Sequence, residues 1–301
     1  MKICCIDIGT NSVLCLLSQI SQNKFTPLSF HQKTTRLGKS LGANKSLSTE
    51  SQNATIYVIK KWLREIKADK YLLAGTSALR NARNSKQFLA RVNKETGLQI
   101  RVLSGGEEAA LSFLSVSNFI KPFPKKTVIY DIGGGSTEII RAVNGRLVSK
   151  KSINIGAVNL TEEYGSNFSK MESRIAGALK RYLDGISDYR IICVGGTVTT
   201  LGAIIRRLKE YDPNKVHGMS IAFNKVNSVS DRLRSATSSE RRNLVSFDKK
   251  RIDIITAGIA ILKVIMELSG AKKFTICDRG LVYGMALSHF SSFSADSSVG
   301  K

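Results

Sequence analysis

Two stretches of this sequence carry the same short pattern: DIGTNS begins at Asp7 and DIGGGS at Asp131, 131 − 7 = 124 residues later. Each follows an apolar run, so in both an aspartate ends a buried strand and a glycine-containing turn with hydroxyls comes next. Such turns expose backbone N–H groups that no side chain shields, and the hydroxyls add donors, which together can grip a phosphate. Gly9, Thr10, Asn11 and Ser12 supply these groups in the first copy, and Gly133, Gly134, Gly135, Ser136 and Thr137 in the second. A third turn, Gly195-Gly196-Thr197 in VGGTVTT, opens a predicted helix whose N-terminus is an anion seat. Asp131 and Glu138, with Asp7 in the first copy, are carboxylates that become useful beside phosphate once a divalent cation stands between them.

Attack on a phosphoryl group by water needs a base. SGGEEAAL places Glu107 and Glu108 near a helix start, where acids complement the helix dipole and the apolar stretch that follows leaves one of them directed toward a site. Arg80 in TSALRNARN and Arg36 in TRLG are candidates for clamping phosphate oxygens. Other phosphate chemistries fit poorly. GKS at 38–40 resembles the end of a P-loop, but the first glycine of that motif would fall on Lys33. A cysteine phosphatase needs an arginine shortly after its nucleophile, and neither Cys193 nor Cys277 has one at the usual spacing; His31, His217 and His289 are scattered, with no aspartate beside any of them.

The elements that must position these residues follow from the apolar pattern. With 42% apolar and 23% charged residues, the chain of 301 residues has the composition of a globular α/β protein with room for two cores. No apolar run approaches the length of a membrane helix. Five cysteines without a C-x-x-C spacing suggest buried hydrophobes in a reducing, cytoplasmic setting. The net charge of +23 predicts attraction to polyanions, but the basic residues form no block and lack interleaved aromatics, so dedicated nucleic-acid binding is not expected. The periodicity predicts strands at 3–8, 71–75, 98–103, 190–194 and 273–277, with one or two more across 25–37. It predicts helices from Ser48 to about 67, at 85–96, and at about 169–184, 197–209 and 251–268. Asn144-Gly145 predicts a hairpin across 137–153, and the Ser-rich end a frayed tail. KPFPKK at 121–126 is the best boundary signal, which gives domains 1–121 and 122–301.

Read in order, IDIGTNSV, TTRLG, GTSALRNARN, LSGGEEA, YDIGGGSTEI, VGGTVTTLGAI, DPNKVHG, ERR, ITAGIAIL and CDRGLVYG resemble the exopolyphosphatase and guanosine pentaphosphate phosphohydrolase family of the actin-like ATPase superfamily. The resemblance covers nearly the whole chain and matches the short, two-domain members. It implies an α/β chain of two ribonuclease-H-like domains with an interdomain cleft, where the terminal phosphate of polyphosphate or guanosine pentaphosphate is removed with Mg2+ or Mn2+. It also points to Glu108 as the catalytic glutamate, with Glu107 the alternative, and to Asp131 and Glu138 as metal-associated acids. Leu14 and Val282 depart from it, standing where members often carry arginine or another polar residue. The expected partners are polyphosphate or guanosine penta- or tetraphosphate, with neither nucleic acid nor membrane, and a homodimer is allowed. The rival expectations are a phosphotransferase of the same fold and a non-catalytic sensor of polyphosphate or guanosine alarmones.

Overall fold

The run ICCIDI has β-branched and small apolar residues at nearly every position, the signature of a strand buried on both faces. In a computed structural model, which describes residues 1–21 and 24–298, it is the central strand of the first of two sheets. The elements of the first half are β1 (Lys2–Ile8), β2 (Ser12–Ser21), β3 (Lys24–Thr34), α1 (Leu41–Asn44), α2 (Thr49–Glu65), β4 (Lys70–Gly75), α3 (Ser77–Asn81), α4 (Ser85–Thr96), β5 (Ile100–Val102) and α5 (Gly105–Phe119). The sheet runs β3-β2-β1-β4-β5, with β1, β2 and β3 antiparallel and β4 and β5 parallel to β1. Ser48 caps α2 by accepting from Ser51 N–H at 3.2 Å, and its inner face buries Ile56, Ile59 and Trp62 against the sheet. Each such side chain contributes about 1.5 to 3 kcal/mol of hydrophobic stabilisation. Gly97 ends α4 at φ 72°, a left-handed value that an L side chain resists.

The second half comprises β6 (Lys126–Ile132), β7 (Thr137–Val143), β8 (Arg146–Ile153), α6 (Ala157–Tyr164), α7 (Phe168–Leu179), β9 (Arg190–Val194), α8 (Gly196–Ile205), α9 (Pro213–Val216), β10 (Ser220–Ala222), α10 (Phe223–Ser235), α11 (Ser238–Leu244), α12 (Ile255–Ser269) and β11 (Lys273–Cys277). Its sheet runs β10-β11-β9-β6-β7-β8. Without the short antiparallel β10 on the edge, this is the order of the first sheet again, with β6 in the place of β1. The repeat in sequence is therefore a repeat of fold, and both sheets have the ribonuclease-H-like order. The hairpin expected at Asn144-Gly145 joins β7 to β8, both residues at positive φ. The five cysteines are buried and free, and burial pushes the Cys277 thiol up to about 12.

Three expectations need correction. The second strand starts at Ser12, directly after the first turn, whereas the pattern suggested strands only from residue 25. The apolar run VLCLL carried that signal. Two compact units divide at Ser115/Val116, inside α5, not at 121/122, and the first unit also takes the chain from Leu281 onward. That return is made by α13 (Leu281–Ser298): its Tyr283 ring lies 6.1 Å from Phe30 and its Phe290 ring 6.4 Å from Phe25, both on β3. Helix α13 also crosses α5 so closely that a Cβ on Gly284 would sit 2.0 Å from the Leu111 carbonyl oxygen. Finally, α13 continues to Ser298, through most of the segment expected to fray, and residues 299–301 lie outside the described residues.

Candidate active site

Each Asp-Ile-Gly turn is closed by the same hydrogen bond. Gly9 N–H donates to the Ser12 carbonyl at 3.0 Å, and Gly133 N–H donates to the Ser136 carbonyl at 2.9 Å. Most of the other turn carbonyls are then consumed by a neighbouring loop. In the first unit Thr35 and Arg36 N–H donate to Asn11 O at 3.2 and 2.9 Å, and Gly38 N–H donates to Thr10 O at 2.9 Å. In the second unit Ala157 N–H donates to Gly133 O at 3.0 Å, Val158 N–H to Gly134 O at 2.8 Å, and the Asn159 side-chain amide to Gly135 O at 3.0 Å. By contrast, the N–H groups of Thr10, Asn11, Gly134 and Gly135 make no backbone hydrogen bond among the described residues. Both turns thus have most of their acceptors occupied, the Gly9 carbonyl excepted, and their donors in reserve, which is an anion nest. Close packing holds this arrangement: a Cβ on Gly38 would lie 2.4 Å from Thr10 Cγ2, and one on Gly156 2.4 Å from Gly134 O.

The register of the second sheet sets Asp131 directly opposite Glu138, and Glu138 opposite Ser152. Directly opposed residues share a face, so two carboxylates lie side by side. Glu138 is 1% exposed, and its Oε1 accepts from Ser152 Oγ at 2.7 Å. In the first sheet Asp7 is opposite Leu14, so that turn offers one carboxylate where the second offers two. Val282, the other departure, is buried in the first unit. Among the described residues no group of three or more His, Cys, Asp or Glu side chains is gathered for a metal. The Asp131–Glu138 pair still fits magnesium or manganese, hard ions that are commonly held by one or two carboxylates while water and phosphate fill the remaining positions.

Glu107 and Glu108 are adjacent in sequence and have opposite roles in the structure. Glu107 Oε2 accepts from both Ser104 N–H and Ser104 Oγ at 2.8 Å, while Glu107 N–H donates to Ser104 Oγ at 3.2 Å. This is a reciprocal capping box at the start of α5. These bonds from the Ser104 backbone and hydroxyl, then the ion pair with Arg101, hold the Glu107 carboxyl down at about 2. Glu108 is 9% exposed, and its Oε2 accepts from Arg80 Nη1 at 2.5 Å. The same Arg80 nitrogen donates to the Leu103 carbonyl at 2.9 Å. Arg80, expected on phosphate oxygens, is therefore bonded to the expected base. Arg36 adopts φ 53° in the loop over the first turn.

The third turn brings in residues that the sequence did not single out. Gly195 has φ 101°, and a Cβ there would lie 2.6 Å from the Ile132 carbonyl and 3.2 Å from Asp131 Oδ1, so this turn presses against the second. At Gly196 a Cβ would sit 1.9 Å from Arg251 Nη1. The Arg251 guanidinium thus covers the first turn of α8, oriented by Asp248, whose Oδ2 accepts from Nε at 2.9 Å. A single arginine just ahead of an apolar helix gave no signal of that contact. Thr197 packs on α12, where a Cβ on Gly258 would lie 2.3 Å from its Oγ1. Nearby, Tyr211 OH donates to Asp278 Oδ1 at 2.6 Å. His217 has both ring nitrogens engaged, Nδ1 accepting from Asp278 N–H and Nε2 bonded to Phe119 O, each at 3.2 Å, so its role is structural.

Two sheets of ribonuclease-H-like order, each with an Asp-Ile-Gly nest after its central strand, define a chain of the actin-like ATPase fold. Within that class the chain belongs to the Ppx/GppA phosphatase family, whose model matches residues 16–293. It is 30% identical to a bifunctional 3-dehydroquinate synthase/phosphatase of Fusobacterium nucleatum over 94% of this chain and 46% of that protein, so the chain spans about half the length of that relative. It is 25% identical to exopolyphosphatase 2 of Mycobacterium tuberculosis over 95% of this chain and 98% of that one. The crystal structure of the Aquifex aeolicus Ppx/GppA family member is similar at a TM-score of 0.81, with 28% identity over 97% of this chain and 98% of that chain. No helix among the described residues is long and apolar enough to cross a membrane.

Proposed function

We propose that the chain hydrolyses phosphoanhydrides, releasing terminal phosphate from inorganic polyphosphate, with guanosine pentaphosphate as the competing substrate. The observation that carries this reading is the paired nests, whose carbonyls are mostly consumed while the N–H groups of Thr10, Asn11, Gly134 and Gly135 make no backbone hydrogen bond among the described residues and are available for phosphoryl oxygens. Family membership supports it, as does the name of the exopolyphosphatase relative.

In this reading Ser12, Ser136 and Thr197 add hydroxyl donors beside the nests, and Gly195-Gly196 with the α8 N-terminus adds a third anion seat; Thr137, expected to add another, is fully buried and donates its hydroxyl proton to the Ile155 carbonyl at 2.6 Å instead. Glu108 takes a proton from the attacking water, and Arg80 holds the carboxylate in position for that task. Asp131 and Glu138 would hold a magnesium or manganese ion, which when bound supplies positive charge against the phosphoryl oxygens. Asp7 ends the first central strand, directly before the nest of its own unit, and is a further candidate metal-associated acid there.

The deciding experiment is phosphate release from purified protein given polyphosphate or guanosine pentaphosphate with magnesium. Release with water as the only acceptor is expected. Consumption of ATP that depends on an added small acceptor would replace the hydrolase with a kinase, and tight polyphosphate binding without release would replace it with a sensor.

A further inference from the structure

The second unit contains a cavity of about 750 Å³ at the end of its sheet away from the glycine turns. Its wall includes Arg190 and Lys273, the first residues of β9 and β11, whereas the third turn follows Val194 at the other end of β9. Four residue steps of strand, about 13 Å, separate the two ends. The cavity is therefore distinct from the nests of Asp131 and Gly195.

Its lining combines two chemistries. The half-buried Phe123 and Tyr189 give aromatic surface over the buried Phe274, and Arg190, Lys272 and Lys273 give three exposed cations. The side chains of those three have no ion-pair or hydrogen-bond partner among the described residues. The nearest acid in sequence, Asp188, is engaged by Lys126, and Lys126 Nζ also stands 6.0 Å from the centroid of the Tyr189 ring. Unpaired cations gathered on one rim attract a polyanion, and aromatic rings behind them favour a flat, apolar body attached to it. The volume lies in the range of small-molecule sites, too small for a folded partner.

We propose that this cavity binds a nucleoside polyphosphate, its base against Tyr189 and Phe123 and its phosphates on Arg190, Lys272 and Lys273, as a site separate from the catalytic one. A nucleotide held there would let nucleotide supply act on a phosphate-handling enzyme without occupying its turns. The test uses the full chain with GDP as the probe and without divalent ions. Hydrogen exchange should slow at 186–192 and 269–275. The double variant Lys272→Glu/Lys273→Glu should weaken binding of a fluorescent GDP at least tenfold, and Tyr189→Ala about fivefold, with melting temperatures unchanged. Arg190→Gln gives a milder second variant should the charge reversals perturb folding, with a loss of threefold or more expected. Phosphate release from polyphosphate in the absence of nucleotide should stay within twofold in all of them. The proposal is overturned if GDP protects only the glycine turns, if these variants bind within twofold of the wild type, or if tripolyphosphate protects the cavity as strongly as GDP does. Because the primary readout is binding, a chain that released no phosphate would sink the hydrolase reading and leave this result standing.

Discussion

Two neighbouring glutamates show how little residue type alone decides. Glu108→Gln keeps the size of the side chain and removes its basicity, so phosphate release should fall roughly 10²- to 10⁴-fold while polyphosphate binding is retained. A loss under threefold in turnover would remove Glu108 from the role. Glu107→Gln should leave turnover within about threefold and instead cost about 1 kcal/mol of stability through the weakened capping box. The sign of its pH dependence follows from its depressed carboxyl. Glu107 contributes stability above its ordinary value of 4.5 and loses it as pH falls toward about 2, so the wild type and Glu107→Gln melting temperatures should converge on acidification. Asp278 has the opposite sign. Burial raises its carboxyl from 3.8 to about 6, against the Tyr211 hydrogen bond and the Arg279 charge, which both favour the ionised form. Its ionised form is the costly one, so its contribution is fully present below 3.8 and is lost as pH rises through about 6. Asp278→Asn should therefore melt higher than the wild type at pH 8, by an amount on the order of 2 to 3 kcal/mol, with the difference gone near pH 4. Thermal melts across pH 4 to 8 measure it.

At the scale of elements, the glycines that separate turns from their neighbours are not equivalent. A Cβ on Gly156 would meet the Gly134 carbonyl oxygen at 2.4 Å, backbone against backbone, and can be accommodated only by moving the second nest. Gly156→Ala should cost more than about 2 kcal/mol and impair phosphate binding together with stability. At Gly196 the obstacle is the far end of the Arg251 side chain, 1.9 Å away, which can swing aside. Gly196→Ala should therefore cost little stability and act through the displaced guanidinium, raising KM more than it lowers kcat. Denaturant melts and steady-state kinetics of the two variants distinguish these outcomes. Helix α13 offers a third case. Tyr283 is 3% exposed and stacks near Phe30, so Tyr283→Ala should cost about 3 kcal/mol. Faster hydrogen exchange is expected in β1, β2 and β3, with the second sheet unaffected.

For the molecule as a whole the dominant number is the net charge of +23. Charge of this size accelerates encounter with a polyanion and is screened over about 10 Å at 0.1 M salt. Raising salt from 50 to 300 mM should reduce kcat/KM for long polyphosphate about tenfold or more, leave kcat nearly constant, and affect tripolyphosphate less. A salt-independent kcat/KM would separate the charge from substrate capture.

The two sheets were legible because strand and turn are local: an apolar run, an aspartate and a glycine fix β1 and β6 within about ten residues, and their recurrence 124 residues apart announces the duplicated fold. The nests were legible for the same reason, since Gly9 and Gly133 close their turns onto residues three positions away. The Ser104-Gly-Gly-Glu107 spacing is itself a local capping signature that marks Glu107 for the helix cap, and tertiary structure alone decided that Arg80 reaches Glu108 from 28 residues away. It alone placed Arg251 over Gly196 and returned α13 to the first sheet. Those contacts join segments far apart in the chain, and no local pattern of size, charge or spacing records which distant partner a side chain will meet.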